Sequence, residues 1–342
     1  MPSLPDYMHY PLADVPAPGQ TVPVADGVAW LRMPLPFMLG HINLWLLDDH
    51  DDTLAIVDTG LNTRDTQDHW RNLLDGKTVS RIVITHMHPD HVGSAGWLHE
   101  HYDAPLYMTR AEYLMCRVLV ADTGQPAPEA GVDFYRAAGF DNDALQRYRD
   151  RFGGFGKAVY PMPQAYHRLQ ENDVLRIGEQ DWRIVTTSGH CPEHASLFNE
   201  QAGLFIAGDQ ILPTISSNVS VWPTEPEADP MGFWLESCRK LKDLLDDEVL
   251  VLPSHGKPFR GAPGRLQALI DEHEDNFDAL RSLCREPQRA IDTFAALFKS
   301  RITDGNLIMA TGEAVAHLNH MLQQGSLVRE TDDDGVHRYR TA

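Results

Sequence analysis

Residues 86–91 read His-Met-His-Pro-Asp-His, three histidines and an aspartate in six positions, directly after the apolar run "RIVIT". Imidazoles and a carboxylate packed so tightly are costly to bury unless water or a cation satisfies them. Three more residues of the same kind each close an apolar run: His190 after "IVTTSG", Asp209 after "LFIAG" and His255 after "VLVLPS". Asp58 follows "LAIV" in the same manner. Side chains at strand ends along one edge of a sheet can converge on a single cleft. Imidazole and carboxylate without thiolate suit zinc, manganese or iron better than copper(I) or an iron–sulfur cluster. His86 and His88, two apart on an extended segment, point the same way. The chain then turns at Pro89 into a helix, so Asp90 and His91 approach a shared point from the other side. One pair can serve one metal and the second pair a neighbouring metal.

Other polar residues near these runs have plainer readings. Asp58 precedes Thr-Gly and doubles as a turn former. His194, four past His190, is expected to pack behind the site, and Cys191 to be a buried spectator thiol. His99, His101, His317 and His320 are expected on helix surfaces. Tyr148 and the arginines of "RYRDR" read as a solvated face. Ser216, Ser217 and Asn218 directly follow a ligand-bearing strand and are candidate substrate contacts.

The elements that must position these residues can be read from periodicity. "GVAWLRM", "INLWLLDD", "TLAIVDTG", "VSRIVITH" and "PLYMT" predict one block of strands. "DVLRI", "WRIVTTS", "GLFIAGD" and "EVLVLPSH" predict a second. "DTQDHWRNLL" reads as a helix, and Pro89 and Asp90 suit the first turn of another running through "HVGSAGWLHEHY". Two strand blocks with helices between suggest an α/β sandwich of two sheets covered by helices. Residues 1–23 are Pro-rich and aperiodic and are expected to be an extended arm; 24–262 form the main domain, with a helical insertion at about 110–165. From residue 263 to 342 the pattern is a long helix, two more helices ("IDTFAALF", "GEAVAHLNHMLQQG") and an Asp-Gly hairpin, a winged-helix-like layout.

Composition narrows the partners. The chain has 342 residues, 42% hydrophobic and 23% charged, an ordinary globular balance. Lys plus Arg number 29 against 49 Asp plus Glu, a net charge of −20 that disfavours long nucleic acids and anionic lipid. Residues 288–342 hold six Lys or Arg against seven Asp or Glu, so the tail lacks the positive face of a DNA reader, and a packing or homodimer-forming role is expected. The four cysteines form no C-x-x-C pair; reduced thiols and a cytoplasmic location follow. No signal peptide or membrane segment is expected.

The H-x-H-x-D-H motif at 86–91, followed by separated His190, Asp209 and His255 at strand ends and preceded by "VDTG", resembles the metallo-β-lactamase-fold hydrolases over about residues 24–260. The resemblance implies an αβ/βα four-layer sandwich. It implies that His86, His88 and His190 hold one divalent metal, that Asp90, His91 and His255 hold a second, and that Asp209 bridges them. Asp58 would orient a ligand from behind. Two metals about 3.5–4 Å apart in such sites bind a bridging hydroxide, the nucleophile, and Asp90 would orient it and move its proton. Zinc is the first choice of metal, with iron or manganese as alternatives. An Asp at position 209 is more similar to the glyoxalase II, lactonase and phosphodiesterase branches than to the antibiotic-degrading ones, which usually carry Cys there. "GHCPEH" at 189–194 and the tail resemble a lactamase group with an associated winged helix. The expected activity is therefore hydrolysis of an ester, thioester or lactone of a small molecule. The alternatives are a phosphodiesterase or ribonuclease on the same metals, and a one-iron sulfur dioxygenase, which needs only two His and an Asp and leaves the second ligand set without a purpose.

Overall fold

A computed structural model describes residues 5–37 and 39–342; residues 1–4 of the expected arm lie outside the described residues. Along the chain run β1 (Thr21–Ala25), β2 (Val28–Pro34), β3 (His41–Asp48), β4 (Thr53–Val57), α1 (Arg64–Leu73), β5 (Thr78–Val83), α2 (Pro89–Val92), α3 (Ala95–Tyr102) and β6 (Leu106–Thr109). Helices α4 (Arg110–Ala121), α5 (Glu129–Ala137) and α6 (Asn142–Arg151) follow, then β7 (His167–Leu169), β8 (Val174–Ile177), β9 (Gln180–Thr187), β10 (His194–Asn199) and β11 (Leu204–Gly208). The chain ends with α7 (Pro230–Leu244), β12 (Leu250–Pro253), α8 (Ala262–Leu283), the single turn α9 (Phe294–Leu297), α10 (Leu307–Gln323) and the hairpin β13 (Leu327–Thr331) and β14 (His337–Thr341).

The strands form a seven-stranded sheet in the order β1-β2-β3-β4-β5-β6-β7 and a five-stranded sheet in the order β12-β11-β10-β9-β8. Alternation in each strand splits its side chains between two cores. Trp30, Trp45, Leu47, Val57 and Val83 meet Trp182, Ile184, Leu197, Ile206 and Leu252 between the sheets. Their neighbours Leu31, Leu44, Leu46, Ile56 and Ile82 face outward, under Trp70, Trp97, Leu98 and Tyr113 of α1, α3 and α4. On the second sheet Val185, Phe198, Phe205 and Val251 face α7, α8 and α10 through Trp234, Leu241, Leu266, Phe277 and Leu318. The result is a four-layer α/β/β/α sandwich. Truncating one of the buried tryptophans, such as Trp45, to alanine should cost about 3–5 kcal/mol.

Several expectations needed correction. Sequence periodicity does not mark strands β1, β7 and β10, and β1 starts inside the expected arm. β10 is a central strand whose six residues are all buried, so it shows no polar alternation and opens on a histidine. The helix expected after Pro89 breaks at Gly93, where a Cβ would lie 2.3 Å from the Pro89 carbonyl oxygen and 2.7 Å from Gly60 O. Tyr148 is buried against Tyr135 rather than solvated, in a satellite core of α5 and α6. The neighbouring arginines pair with carboxylates, Arg147 with Asp304 at 3.5 Å and Arg149 with Glu129 at 3.8 Å. His317 is fully buried, not on a helix surface. "IDTFAALF" forms a 3-10 turn followed by one α-turn rather than a full helix.

The tail does not stand apart. Leu266, Leu269, Phe277, Leu280, Leu318, Met321 and Tyr339 share one continuous core with the outer face of the second sheet. Residues 8–9 also lie on this half: His9 bridges Arg260, and Met8 is buried with the same core.

Candidate metal centre

The site lies where strands of both sheets end. β4 ends before Asp58, β5 before His86, β9 before His190, β11 at Gly208 before Asp209, and β12 before His255. Parallel pairing of β4 with β5 and of β11 with β12 sends these ends to the same edge. Gly208 has φ +52, and a Cβ there would meet His194 Nε2 at 2.3 Å, so only glycine lets the backbone pass this ring and present Asp209.

Seven side chains converge in two groups. His86, His88, His190 and Asp209 offer ligand atoms within 4.8 Å of one another, as do Asp90, His91 and His255. Asp209 faces both groups. Its Oδ2 lies 3.6 Å from His190 Nε2 and 4.0 Å from His86 Nε2. Its Oδ1 lies 3.4 Å from His91 Nε2 and 3.5 Å from His255 Nε2. Asp90 Oδ2 is 3.4 Å from His255 Nε2 and 3.9 Å from His91 Nε2. His88 turns its Nδ1 to within 2.9 Å of His86 Nε2.

Hydrogen bonds behind the cleft fix the rings. His190 Nδ1 donates to Asn218 O at 2.7 Å, and His255 Nδ1 donates to His41 O at 2.9 Å. His91 Nδ1 donates to Asp58 Oδ2 at 2.8 Å. Thr85 gives both its N–H and its hydroxyl to Asp58, each at 2.8 Å, and its oxygen lies 3.0 Å from His86 Nδ1. With Nδ1 carrying the proton, each Nε2 carries a lone pair aimed into the cleft. Among the described residues, His91 Nε2, His255 Nε2 and Asp209 Oδ1 are buried with no hydrogen-bond partner. Orphaned nitrogen lone pairs and a carboxylate oxygen aimed at one point fit a divalent cation, which takes such donors as ligands.

The electrostatics agree with that fit. Burial, followed by the neighbouring imidazoles, holds His86 well below its usual pKa; burial and then His190 depress His88 to about 3. Burial also opposes charge on His91 and His255, but Asp209 with Asp58 and Asp90 outweighs it for His91, and Asp209 with Asp90 for His255, so both are raised. Asp209 in turn is driven well below the carboxylate range: burial works against its charge, and His91 and His255 overcome it. The second group and its carboxylates therefore favour positive charge in the cleft, which a divalent cation would supply.

Other expected residues fall as follows. His194 is buried behind the site, accepting from Asp209 N at 3.3 Å, and belongs to neither group. Cys191 is buried, and burial followed by Glu112 raises its thiol well above the ordinary range, in keeping with a spectator thiol. Ser217 donates to Asp209 O, and Asn218 Nδ2 donates to Glu313 Oε2 at 2.6 Å, so both side chains are engaged by protein. Ser216 is half-buried, its hydroxyl 3.5 Å from Ser217 O. Sequence reasoning missed Thr85, His41, Arg265 and Glu112, each of which braces a ligand or its loop. Nothing in their local patterns distinguishes them from ordinary strand, loop or helix residues.

A four-layer sandwich with histidines and aspartates gathered at its strand ends defines a metal-dependent hydrolase. The chain belongs to the metallo-beta-lactamase superfamily, whose family profile matches residues 38–255, and the profile for a metallo-beta-lactamase-like C-terminal domain matches residues 277–342. It is similar to the crystal structure of a beta-lactamase domain protein from Burkholderia ambifaria, at 41% identity over 98% of both chains with a TM-score of 0.90. A metallo-beta-lactamase family protein from Thermus thermophilus is 26% identical, with 93% of this chain and 99% of that one covered and a TM-score of 0.78. The acyl-coenzyme A thioesterase MBLAC2 of Gallus gallus is 24% identical over 247 residues, which is 69% of this chain and 80% of that protein.

Proposed function

We propose that this protein is a two-metal hydrolase of a small-molecule ester, thioester or lactone, with a thioester as the first substrate to try. The observation that carries the two-metal reading is Asp209, whose two oxygens separately face the two groups of buried ligand atoms. His86, His88 and His190 would hold the first cation, Asp90, His91 and His255 the second, with Asp209 shared. The nitrogen and oxygen donor set favours zinc. When bound, the two cations would supply Lewis acidity and a water acidic enough to react near neutral pH. The chain's own groups do the rest. Asp90, the carboxylate at the open side of the second group, orients the attacking water, takes its proton and returns it to the leaving sulfur or oxygen. Asp58 and Thr85 keep His91 and His86 in the ligand tautomer.

The thioester preference draws on the relative named as an acyl-coenzyme A thioesterase. The intact second group argues against a one-iron dioxygenase, for which Asp90, His91 and His255 would be superfluous. The net charge of −20 argues against long nucleic acid. All four cysteines are free and buried, in keeping with a reducing cytoplasm.

The test combines elemental analysis with a panel of acyl thioesters, lactones, a β-lactam and a phosphodiester. Close to two metals per chain with thioester or lactone turnover is the expected result. One iron per chain together with oxygen uptake on a persulfide overturns the hydrolase, and turnover confined to the phosphodiester overturns the carbonyl substrate.

A further inference from the structure

Helix α4 opens on Thr109-Arg110-Ala111-Glu112, a pattern in which the glutamate ordinarily reaches back to cap its own helix. Here Thr109 makes no side-chain cap and Glu112 turns inward, fully buried. Glu112 Oε2 accepts the Met87 N–H at 2.9 Å, and Oε1 accepts the Glu193 N–H at 2.8 Å. Glu193 returns the exchange: its Oε2 accepts the Ala111 N–H at 2.9 Å and its carbonyl accepts the Thr109 hydroxyl at 2.6 Å.

The place of this carboxylate is specific. Met87 separates His86 from His88, and Glu193 lies three residues past His190. One buried side chain thus spans the two loops that carry three members of the first ligand group. None of its hydrogen bonds reaches Asp90, His91 or His255. Packing alone does not require a carboxylate here, since burying one is costly. Two facing N–H donors require two acceptor oxygens, which glutamate has and glutamine lacks. We propose that Glu112 is a positioning residue for the first metal group, fixing the separation of the His86–His88 loop from the His190 loop. The inference rests on the two-metal reading above.

Cobalt(II) uptake measured by chelator competition tests it, on the full chain and its Glu112→Gln and Glu193→Gln variants. The same substitutions in a His255→Ala background leave the first group as the site titrated. Glu193→Gln is the matched control: it removes the same charge a short distance away but keeps an acceptor for Ala111 N–H. The expected result is a 10–100-fold loss of affinity at the first group in Glu112→Gln. Affinity at the second group and both affinities of Glu193→Gln should stay within about threefold of wild type, the size of effect expected of a substitution that keeps its hydrogen bond. Should Glu112→Gln not fold, Glu112→Asp, too short to span both donors, is read in the same way. Two outcomes overturn the clamp while leaving the metal centre standing: unchanged affinity at the first group, or an equal loss at both groups. A wild-type chain that takes up no cobalt overturns the metal reading itself, and the clamp with it.

Discussion

Two clusters of buried imidazoles lie in this chain and differ in what faces them. In the cleft, His86, His88, His91, His190 and His255 surround Asp90 and Asp209. In the tail, His273 Nδ1 and His317 Nε2 face each other at 3.1 Å, the His317 Nδ1 donates to Glu313 O at 2.8 Å, and the Phe277 ring lies 5.6 Å from His317. Both clusters contain a ring nitrogen without a partner. Only the cleft adds carboxylate oxygens aimed at the same point, and only there are imidazoles raised. In the tail, burial pushes His273 to about 3 and His317 to about 4, which leaves both rings neutral. Histidines in company are therefore not enough for a metal site; the counter-charge decides.

Four experiments press on that difference. Removing the carboxylate that faces both groups should do most: Asp209→Ala is expected to lower turnover by about 10⁴-fold or more, with metal content well below two per chain, because the proposed two-metal site would lose its common ligand. Retention of both metals by that variant would break the comparison. Asp90→Asn should cost roughly 10²–10⁴-fold in kcat with the fold intact, as expected for loss of a proton-transfer group; near-normal turnover would show that another residue moves the proton.

The tail should answer to acid instead. His273 and His317 have folded pKa values depressed below the ordinary 6.5, so their neutral forms stabilise the fold above that pH. That stability is lost as pH falls from about 6.5 toward 4 and 3, at most on the order of 3 kcal/mol for His317 and 5 kcal/mol for His273. Chemical denaturation at several pH values should show the fall, and His317→Leu should flatten it without changing metal content. A metal-content change in His317→Leu would erase the distinction between the clusters. Smallest is Asp58→Ala, expected to weaken metal affinity or activity by roughly 10–100-fold through loss of the His91 and Thr85 contacts. Asp58 has φ +59, a left-handed conformation that asparagine also tolerates, so Asp58→Asn should perturb the backbone less and sharpen the test of the hydrogen bonds.

Much of this is readable in the sequence. All seven residues that gather in the cleft sit just beyond apolar strand runs, and chemistry so dense in a few positions leaves a local trace. The strands with clear apolar runs, such as β3, β5 and β12, are equally plain. β10 is not, because a strand buried on both faces and opening on His194 has no alternation to detect. Glu112 and Thr85 are invisible for a different reason. Their roles depend on partners 25 and 27 residues away, Met87 and Asp58, and nothing in a helix-opening glutamate announces which backbone it will meet. The buried ring of His317 escapes a local reading because the shared core of tail and second sheet is a tertiary fact.

The loop after Asp209 is fastened by residues synthesised long after it. Asn218, whose carbonyl holds His190, is gripped by Glu313, 95 positions later. Leu212 and Ile215 are tied through their carbonyls by Arg265, 53 and 50 positions later. On the ribosome, where a chain emerges from its N-terminus, every candidate ligand leaves the exit before the helices that brace this loop. The loop that holds the His190 ring is therefore completed late in translation, by a stretch of sequence that contributes no candidate ligand to the cleft.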